Sequence, residues 1–333
     1  MYCNGEHRSA HSETHEPLCD MVSKLGAKVK SEEQLLRSAY PYAWLRGDIF
    51  KNYQGSFWGI LETREYMRAR LALVFALGQV NTCASLQAQV DHLLDMLRLC
   101  RRDNMGVRDM LPAILLRLNK DQECYDFIKW WQTTGRQGYD YANIELPYLD
   151  TRNANVFESV DDLFCCAGGG RNNLSSLVAV TLLKIKLILD LEALQNSTLV
   201  GGKVPPEILD DIQRHVVRSS VVSLDRRLRE RGDHAAYLKS LEVQVYNLYT
   251  AVHTSNAYLW PCLVNPGAHL FALPTASDSA GSVGEMQLVL QHSYNAWAET
   301  PGAIDTIKRL MAEDVDALVD VNCRARNSRN KVL

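Results

Sequence analysis

The sequence lacks an excess of either charge, a long uninterrupted apolar run, and the glycine and proline content of a low-complexity chain. Its 333 residues include 36 lysines and arginines and 39 aspartates and glutamates, which gives a formal charge of −3. Because a general nucleic-acid binder needs an excess of basic residues, we expect no nucleic-acid partner. The chain contains 19 glycines and 10 prolines, and 47% of its residues are hydrophobic, which indicates a globular protein.

The most apolar segment, Leu174–Leu194, is interrupted by Lys184, Lys186, Asp190 and Glu192. Charged side chains are costly at the centre of a bilayer, so the segment predicts a buried amphipathic helix and no membrane partner. The N-terminal residues lack the basic and apolar regions of a secretory signal. The nine cysteines have no framework spacing, which predicts reduced thiols and a cytoplasmic or nuclear protein.

Apolar residues recur at three- and four-residue intervals along most of the chain, and strand signals are scarce. Residues 62–131 predict four helices in two stacked hairpins, with a period somewhat longer than the about 34 residues of a tetratricopeptide repeat. Stacked hairpins of this kind leave a concave surface that usually binds peptides. The expected fold class is therefore mostly α, with tetratricopeptide-like helical hairpin repeats.

Local signals predict where several of these helices begin, bend and end. Asp103 and Asn104 are expected to cap the third helix, and Asp121 is expected to cap the fourth. Pro112 falls inside the predicted third helix and should kink it, since proline removes a backbone hydrogen bond. Gly78 is expected to end the first helix.

Four residues of zinc-binding type lie close together at the N-terminus. Cys3, His7, His15 and Cys19 have the spacing C-x3-H-x7-H-x3-C. Thiolates and neutral imidazoles are the ligands that a tetrahedral Zn²⁺ ion prefers. The spacing predicts zinc as a cofactor, and the alternative interpretation is a histidine-rich terminus that binds no metal.

The same run, beginning at Tyr2, resembles the second half of a MYND-type zinc finger. His7 stands where that family commonly has a cysteine, His11 where it often has a tryptophan, and Glu16 in place of a lysine. The family's module has eight ligands for two interleaved zinc ions. We therefore expect the chain to begin inside the module, without its first four ligands.

The resemblance also implies how the four residues are shared between the two ions. In the family's interleaved arrangement, Cys3 and His7 would serve one ion, and His15 and Cys19 would serve the other. Each site would then be half filled by this chain.

The resemblance continues beyond the finger. Leu93–Trp131 is similar to the repeat body of fungal proteins in which tetratricopeptide-like helices follow a MYND finger. Asn265–Gly267, Gly281–Glu285 and Ala296–Ala303 resemble the closing signature of the same group, so the likeness covers Tyr2 to about Met311. It implies that the finger binds short, proline-containing peptides of partner proteins.

Together these patterns predict the organisation and the function of the chain. We predict a zinc module at 1–19, helical hairpins at 31–134, a turn-rich crossing segment at 135–158, an α-helical region at 159–320 and a basic tail at 321–333. The expected function is that of a non-catalytic, zinc-binding adaptor for protein or peptide partners. The alternatives are a MYND-associated protein methyltransferase, although its SET signatures are not found in the sequence, and a structural helical solenoid with a decayed finger.

Several other patterns have a structural and a functional interpretation. The glycine run at 165–171 lacks the lysine and hydroxyl residue of a P-loop, which favours a helix-terminating turn. The basic run at 214–231 favours a solvated helix face over a nucleic-acid patch. One group of aromatic residues either covers the helical stack or lines a groove for a proline-containing peptide. These residues are Trp130, Trp131, Tyr139, Tyr141 and Tyr148.

Overall fold

The structure, a computed structural model, describes residues 5–38, 47–136, 138–161, 163–164, 173–201, 203–273 and 279–314, without the side chains of 5–15 and 199–201. All regular secondary structure in these residues is helical, and none of them lies in a strand. The predicted mostly α fold class is confirmed at this level. The chain forms two compact units, Met1–Leu118 with Thr133–Asp150 and Asn119–Gln132 with Thr151–Leu333.

The first unit is built from helices joined by short 3-10 turns. Its helices are α1 (Gly5–Ser38), α2 (Ile49–Asn52), α3 (Arg64–Val80), α4 (Cys83–Leu99) and α5 (Leu111–Arg117), and its 3-10 turns are Phe57–Gly59, Leu61–Thr63 and Val107–Asp109. α3 packs against α1 and α4, and α4 contacts α5. Met67, Val74, Leu93 and Leu97 are buried, as expected for helices with one apolar face.

The connection between α3 and α4 shows how short polar residues end one helix and begin the next. α3 continues past Gly78 to Val80 and ends at Asn81, which has a left-handed φ of 54°. The prediction that Gly78 ends the helix is therefore wrong, because asparagine also tolerates this conformation. Thr82 then caps α4 by accepting a hydrogen bond from the Ser85 N–H at 3.1 Å.

Pro112 lies in the first turn of α5 and does not kink a longer helix. The predicted kink is wrong because a proline in the first turn lacks only an N–H that has no helical partner. Asp103 accepts hydrogen bonds from the N–H groups of Val107 and Arg108, both at 2.9 Å, which lie in the 3-10 turn Val107–Asp109. Its predicted role as a cap of the third helix is therefore wrong, because α5 begins at Leu111 without a side-chain cap. The Asn104 side chain instead accepts a bond from the Cys100 thiol.

The second unit surrounds one long apolar helix. Its helices are α6 (Asp121–Gln132), α7 (Leu174–Gly201), α8 (Pro206–Val216), α9 (Ser220–Leu224), α10 (Arg226–Glu230), α11 (Ala235–Ser255), α12 (Leu259–Val264), α13 (Val283–Ala298) and α14 (303–314), with a 3-10 turn at Gly267–Leu270. α7 packs against α6, α8, α9, α11 and α13. No described helix, α7 included, is long and apolar enough to cross a bilayer.

Two segments of the second unit differ from the local predictions. Residues 159–161 and 163–164 form hydrogen-bonded turns and not the predicted helix. The prolines and glycines of 260–282 predict an irregular covering loop, but part of this segment is helical, since α12 and the turn at Gly267–Leu270 lie within it. In both cases the segment is too short for a helical period to be recognised in the sequence.

The predicted segment boundaries differ from the elements and units that the structure describes. α1 runs without a break across the predicted boundary at residue 19. The two units divide the predicted hairpin region 31–134 after Leu118, and α6 belongs to the second unit. Residues 315–333, which include the predicted basic tail, lie outside the described residues.

Candidate functional site

The four predicted zinc ligands are only partly described. Cys3 lies outside the described residues, and His7 and His15 are described only as backbone positions of α1. Cys19 is exposed on the same helix. Among the side chains that the structure describes, no group of three or more histidines, cysteines, aspartates and glutamates is placed to hold a metal ion.

The backbone of α1 limits how these residues can share an ion. His7 and His15 lie eight positions apart in one helix, which separates them by about 12 Å along the axis. Zinc ligands lie only about 2 Å from their ion. A continuous α1 therefore does not bring all four residues around one ion, whereas His15 and Cys19, four positions apart, share one helix face.

The predicted aromatic cluster is divided between the two units. Trp130 and Trp131 are buried in the second unit, with 0% and 6% of their surface exposed. In the first unit, the Tyr139 hydroxyl donates to the Pro147 carbonyl at 2.7 Å, and the Tyr148 hydroxyl donates to the Arg101 carbonyl at 3.1 Å. These bonds hold the rings on their own backbone, which favours the covering role over a peptide groove.

A surface turn of the second unit presents two large apolar side chains that the sequence did not single out. Phe271 is 87% exposed and Leu273 is 91% exposed, directly after the 3-10 turn Gly267–Leu270. Residues 267–273 are called the display turn below. One sequence signal is available, because the display turn places apolar residues two positions apart within a glycine- and proline-rich stretch.

The backbone of the display turn is fixed on α13. The Gln291 side-chain amide donates to the carbonyls of His269 and Ala272, both at 2.8 Å. Gln287 lies 3.1 Å from the His269 ring nitrogen Nδ1, one helical turn before Gln291. The two exposed side chains therefore project from a backbone that is held at two carbonyls and one ring, which reduces the entropy lost when a partner covers them.

Three buried charged residues form a second notable group, at the start of α9. The Lys186 ammonium lies 2.6 Å from Asp121 Oδ1, and both side chains are at most 5% exposed. Asp121 Oδ2 accepts a bond from the Ser220 N–H at 3.1 Å. Asp190 accepts bonds from the N–H groups of Arg218 and Ser219. The predicted role of Asp121 as the cap of α6 is thus wrong, because its carboxylate is used by α7 and α9.

This charge cluster changes the acidity of Asp190. Burial raises the pKa of Asp190 to about 6, and the nearby Asp121 carboxylate acts in the same direction. The backbone N–H groups of Arg218 and Ser219 and the Lys186 ammonium oppose the increase. The carboxylate therefore titrates close to neutral pH, where most aspartates are fully ionised.

Lys184, two residues before Lys186 on α7, is fully buried. Its ammonium donates to the carbonyls of Val156 and Glu158 and lies 5.5 Å from the centre of the Tyr125 ring. Burial lowers the pKa of Lys184 to about 7. The side chain thus fixes the segment 156–158 on α7, and it is enclosed by protein.

A cleft of about 220 Å³ opens beside the charge cluster, and both Lys186 and Asp190 line it. Arg218 and Glu299 also contribute to its wall. The volume is below the about 300–1,000 Å³ of typical ligand pockets, and both buried charges already bond to protein groups. The arrangement is that of a structural junction between α6, α7 and α9.

Comparisons with protein-family models, with curated proteins and with solved structures find no match. Of the side chains that the structure describes, the display turn carries the one pair of apolar groups that is both strongly exposed and held on a hydrogen-bonded backbone close to α13.

Proposed function

We propose that the chain is a non-catalytic adaptor that binds a protein partner through Phe271 and Leu273. The observation that carries this proposal is the exposure of both side chains on a backbone fixed by Gln291. Apolar side chains that are exposed singly are common on protein surfaces, whereas two large ones on the same hydrogen-bonded turn can anchor a contact with a partner.

The energy available from these two residues is sufficient to anchor a contact. Covering a large apolar side chain contributes about 1.5–3 kcal/mol, so the pair contributes roughly 3–6 kcal/mol before the entropic cost of association. The partner should present a complementary apolar surface. A larger contact area around the display turn would supply the rest of the affinity.

Buried charged side chains hold loop backbone in both units, which supports a scaffold role. In the first unit, the buried Arg101 guanidinium donates to the carbonyls of Asn143, Ile144 and Leu146. In the second, Lys184 and Asp190 hold irregular backbone on α7 in the same manner. Such contacts stabilise loops against helices, as a binding scaffold requires.

The proposal retains the finer expectations from the sequence. The helices of 31–134 would act as tetratricopeptide-like hairpins, and the N-terminal segment would bind Zn²⁺ in the manner of a MYND-type finger. Cys3 with His7, and His15 with Cys19, would each supply half of a site. The partner would include a proline-containing peptide, and the protein would act in the cytoplasm or nucleus.

The display turn can be tested by comparing which proteins the chain captures. The full chain, a Phe271→Ser, Leu273→Ser variant and a Leu61→Ser control are immobilised and incubated with lysate, and the retained proteins are quantified by mass spectrometry. Leu61 is 69% exposed and lies in the first unit, so the control removes a large exposed apolar side chain outside the display turn.

We expect at least one protein that the native chain and the Leu61→Ser control retain equally and that the double variant loses. A decrease in affinity for that protein by about tenfold or more corresponds to about 1.4 kcal/mol or more of binding free energy. Equal retention by all three chains would reject the display turn as the binding site.

Zinc binding has a separate test. The full chain is expressed with zinc, dialysed, and its zinc content is compared with that of a Cys3→Ser, Cys19→Ser variant. Retained zinc that the variant loses would support the module. Equal and negligible zinc in both chains would remove it from the proposal, without affecting the test of the display turn.

A further inference from the structure

A second cleft of the same unit is rich in arginine. It has a volume of about 600 Å³, which lies within the range of small-molecule sites, and it is formed by α8 and by the segment from α10 to Gly232. Four arginines and three acidic residues contribute to its wall. They are Arg214, Arg226, Arg229, Arg231, Glu207, Asp210 and Glu230.

Two of these arginines are paired with acids on their own helices. Arg214 lies 2.6 Å from Asp210, and Arg226 lies 2.6 Å from Glu230. The two arginines and the two acids of these pairs are each more than 40% exposed. Exposed pairs four residues apart on a helix contribute little to stability, so both arginines can turn towards an entering anion at small cost.

Arg229 differs from them because it is buried. It is only 8% exposed, its Nη1 donates to the Ser223 carbonyl, and its Nε has no hydrogen-bond partner. Among the described residues, no carboxylate forms an ion pair with it. A buried cation without a counter-ion is costly, so an anion in the adjoining cleft would offset an existing penalty.

Arg231 is the second arginine of the cleft that has no acidic partner among the residues described. Its guanidinium lies 5.1 Å from the centre of the Tyr237 ring, a contact that leaves its positive charge uncompensated. The cleft therefore holds two guanidinium groups whose charge is not balanced by a paired carboxylate, at positions 229 and 231.

We propose that this cleft binds a phosphate-bearing small molecule, with Arg229 and Arg231 holding the phosphate. The planar guanidinium forms paired hydrogen bonds with phosphate oxygens. A phosphate monoester carries about −1.5 to −2 charges at neutral pH, which the guanidinium groups of Arg229 and Arg231 can balance. The four arginines exceed the three acids of the wall, Glu207 included, by one, so the cleft has a net positive charge. This site is independent of the display turn, and neither proposal requires the other.

The test uses the purified full chain with inorganic phosphate and phosphoserine as probes. Binding is measured by titration calorimetry and by the rise of Tm, with chloride replacing the probe at matched ionic strength. We expect saturable binding of both probes and a higher Tm than in chloride. Equal Tm values in phosphate and chloride, with no calorimetric signal, would overturn the proposal.

Three variants locate the site. Arg231→Gln removes an exposed lining charge, and Arg229→Lys keeps the buried charge but loses the paired geometry. Arg227→Gln is the matched control, since Arg227 is exposed on the same short helix and is not part of the cleft wall. Loss of one charged hydrogen bond should weaken phosphoserine binding by about tenfold or more, whereas the control should bind as the native chain does.

The variants also separate a defined site from a diffuse basic surface. A single-stranded RNA oligonucleotide is tested beside phosphoserine. Equal weakening of phosphoserine binding by Arg227→Gln and Arg231→Gln would overturn the proposal, as would RNA binding that all three substitutions reduce alike. Because Arg229→Lys is itself buried, its Tm in chloride is measured first, and Arg231→Gln provides the test if that Tm has fallen.

Discussion

Replacing Lys186 by methionine should destabilise the second unit strongly. Lys186 and Asp121 form a buried pair at 2.6 Å, and neither side chain is more than 5% exposed. Lys186→Met keeps most of the side-chain volume but removes the charge. The Asp121 carboxylate would then remain buried with the Ser220 N–H as its hydrogen-bond donor, and Asp190 would lose a nearby positive charge.

The expected magnitude follows from the cost of an uncompensated buried charge. Breaking a buried ion pair by removing one partner costs about 3–5 kcal/mol, out of a typical total stability of about 5–15 kcal/mol. A variant that also carries Asp121→Asn should lose less than Lys186→Met alone, since no unpaired charge remains at this position. Lys308→Met is the control, because Lys308 pairs with Asp305 on an exposed helix face and should contribute less than about 1 kcal/mol.

Urea unfolding followed by tryptophan fluorescence suits this measurement. Four tryptophans lie in the second unit, at 130, 131, 260 and 297, so the signal reports mainly on the unit that contains the pair. We expect a large loss of unfolding free energy for Lys186→Met and a partial recovery in the double variant. A loss no greater than that of Lys308→Met would show that the buried pair contributes no more than an exposed one.

Three further predictions concern other buried charges. Because the pKa of Asp190 is raised to about 6, the folded state gains stability as the pH falls from 7 to 4, by up to about 3 kcal/mol relative to Asp190→Asn in parallel urea titrations. The pKa of Lys184, lowered to about 7, has the opposite effect on the pH dependence of stability. Stability increases as the pH rises from 7 to 10, and Lys184→Met should flatten this increase. Arg101→Lys cannot reach the carbonyls of Asn143, Ile144 and Leu146 together, so it should cost at least about 2 kcal/mol and speed limited proteolysis within 139–149.

The pH titrations can also contradict the assignments directly. If the native chain and Asp190→Asn have parallel stability curves between pH 7 and 4, Asp190 is not the titrating group. If Lys184→Met retains the native slope above pH 7, the burial of Lys184 has no effect on its proton affinity.

The sequence was sufficient to predict the long amphipathic helices. α3 and α4 follow from the spacing of apolar residues, because one face of each helix must be buried. α7 is buried as predicted, but the prediction that it is amphipathic is wrong, because Lys184, Lys186 and Asp190 are buried with its apolar residues. The charges within α7 indicated correctly that the segment is not a uniform apolar run. Their partners could not be predicted, since Asp121 lies 65 positions before Lys186 and Ser220 lies 99 positions after Asp121.

The candidate site was harder to predict than the fold. Phe271 and Leu273 occur in a segment that the pattern indicated as a covering loop, and exposure depends on the Gln291 contacts that only the folded chain forms. The burial of Arg229 could not be predicted either, because the basic run at 214–231 gives no indication that one of its arginines is buried. Local periodicity predicts which face of a long helix is buried, but it does not predict the environment of a single loop or short-helix residue.

Photo-crosslinking can show whether the display turn contacts a protein partner. A photoreactive phenylalanine analogue replaces Phe271 in the full chain, and the same analogue replaces Leu61 in a control chain. After irradiation in lysate, we expect a discrete adduct with an identifiable protein at position 271, which Leu273→Ser reduces and which the control at position 61 does not form. The absence of such an adduct, or the same adducts at both positions, would contradict the proposed contact.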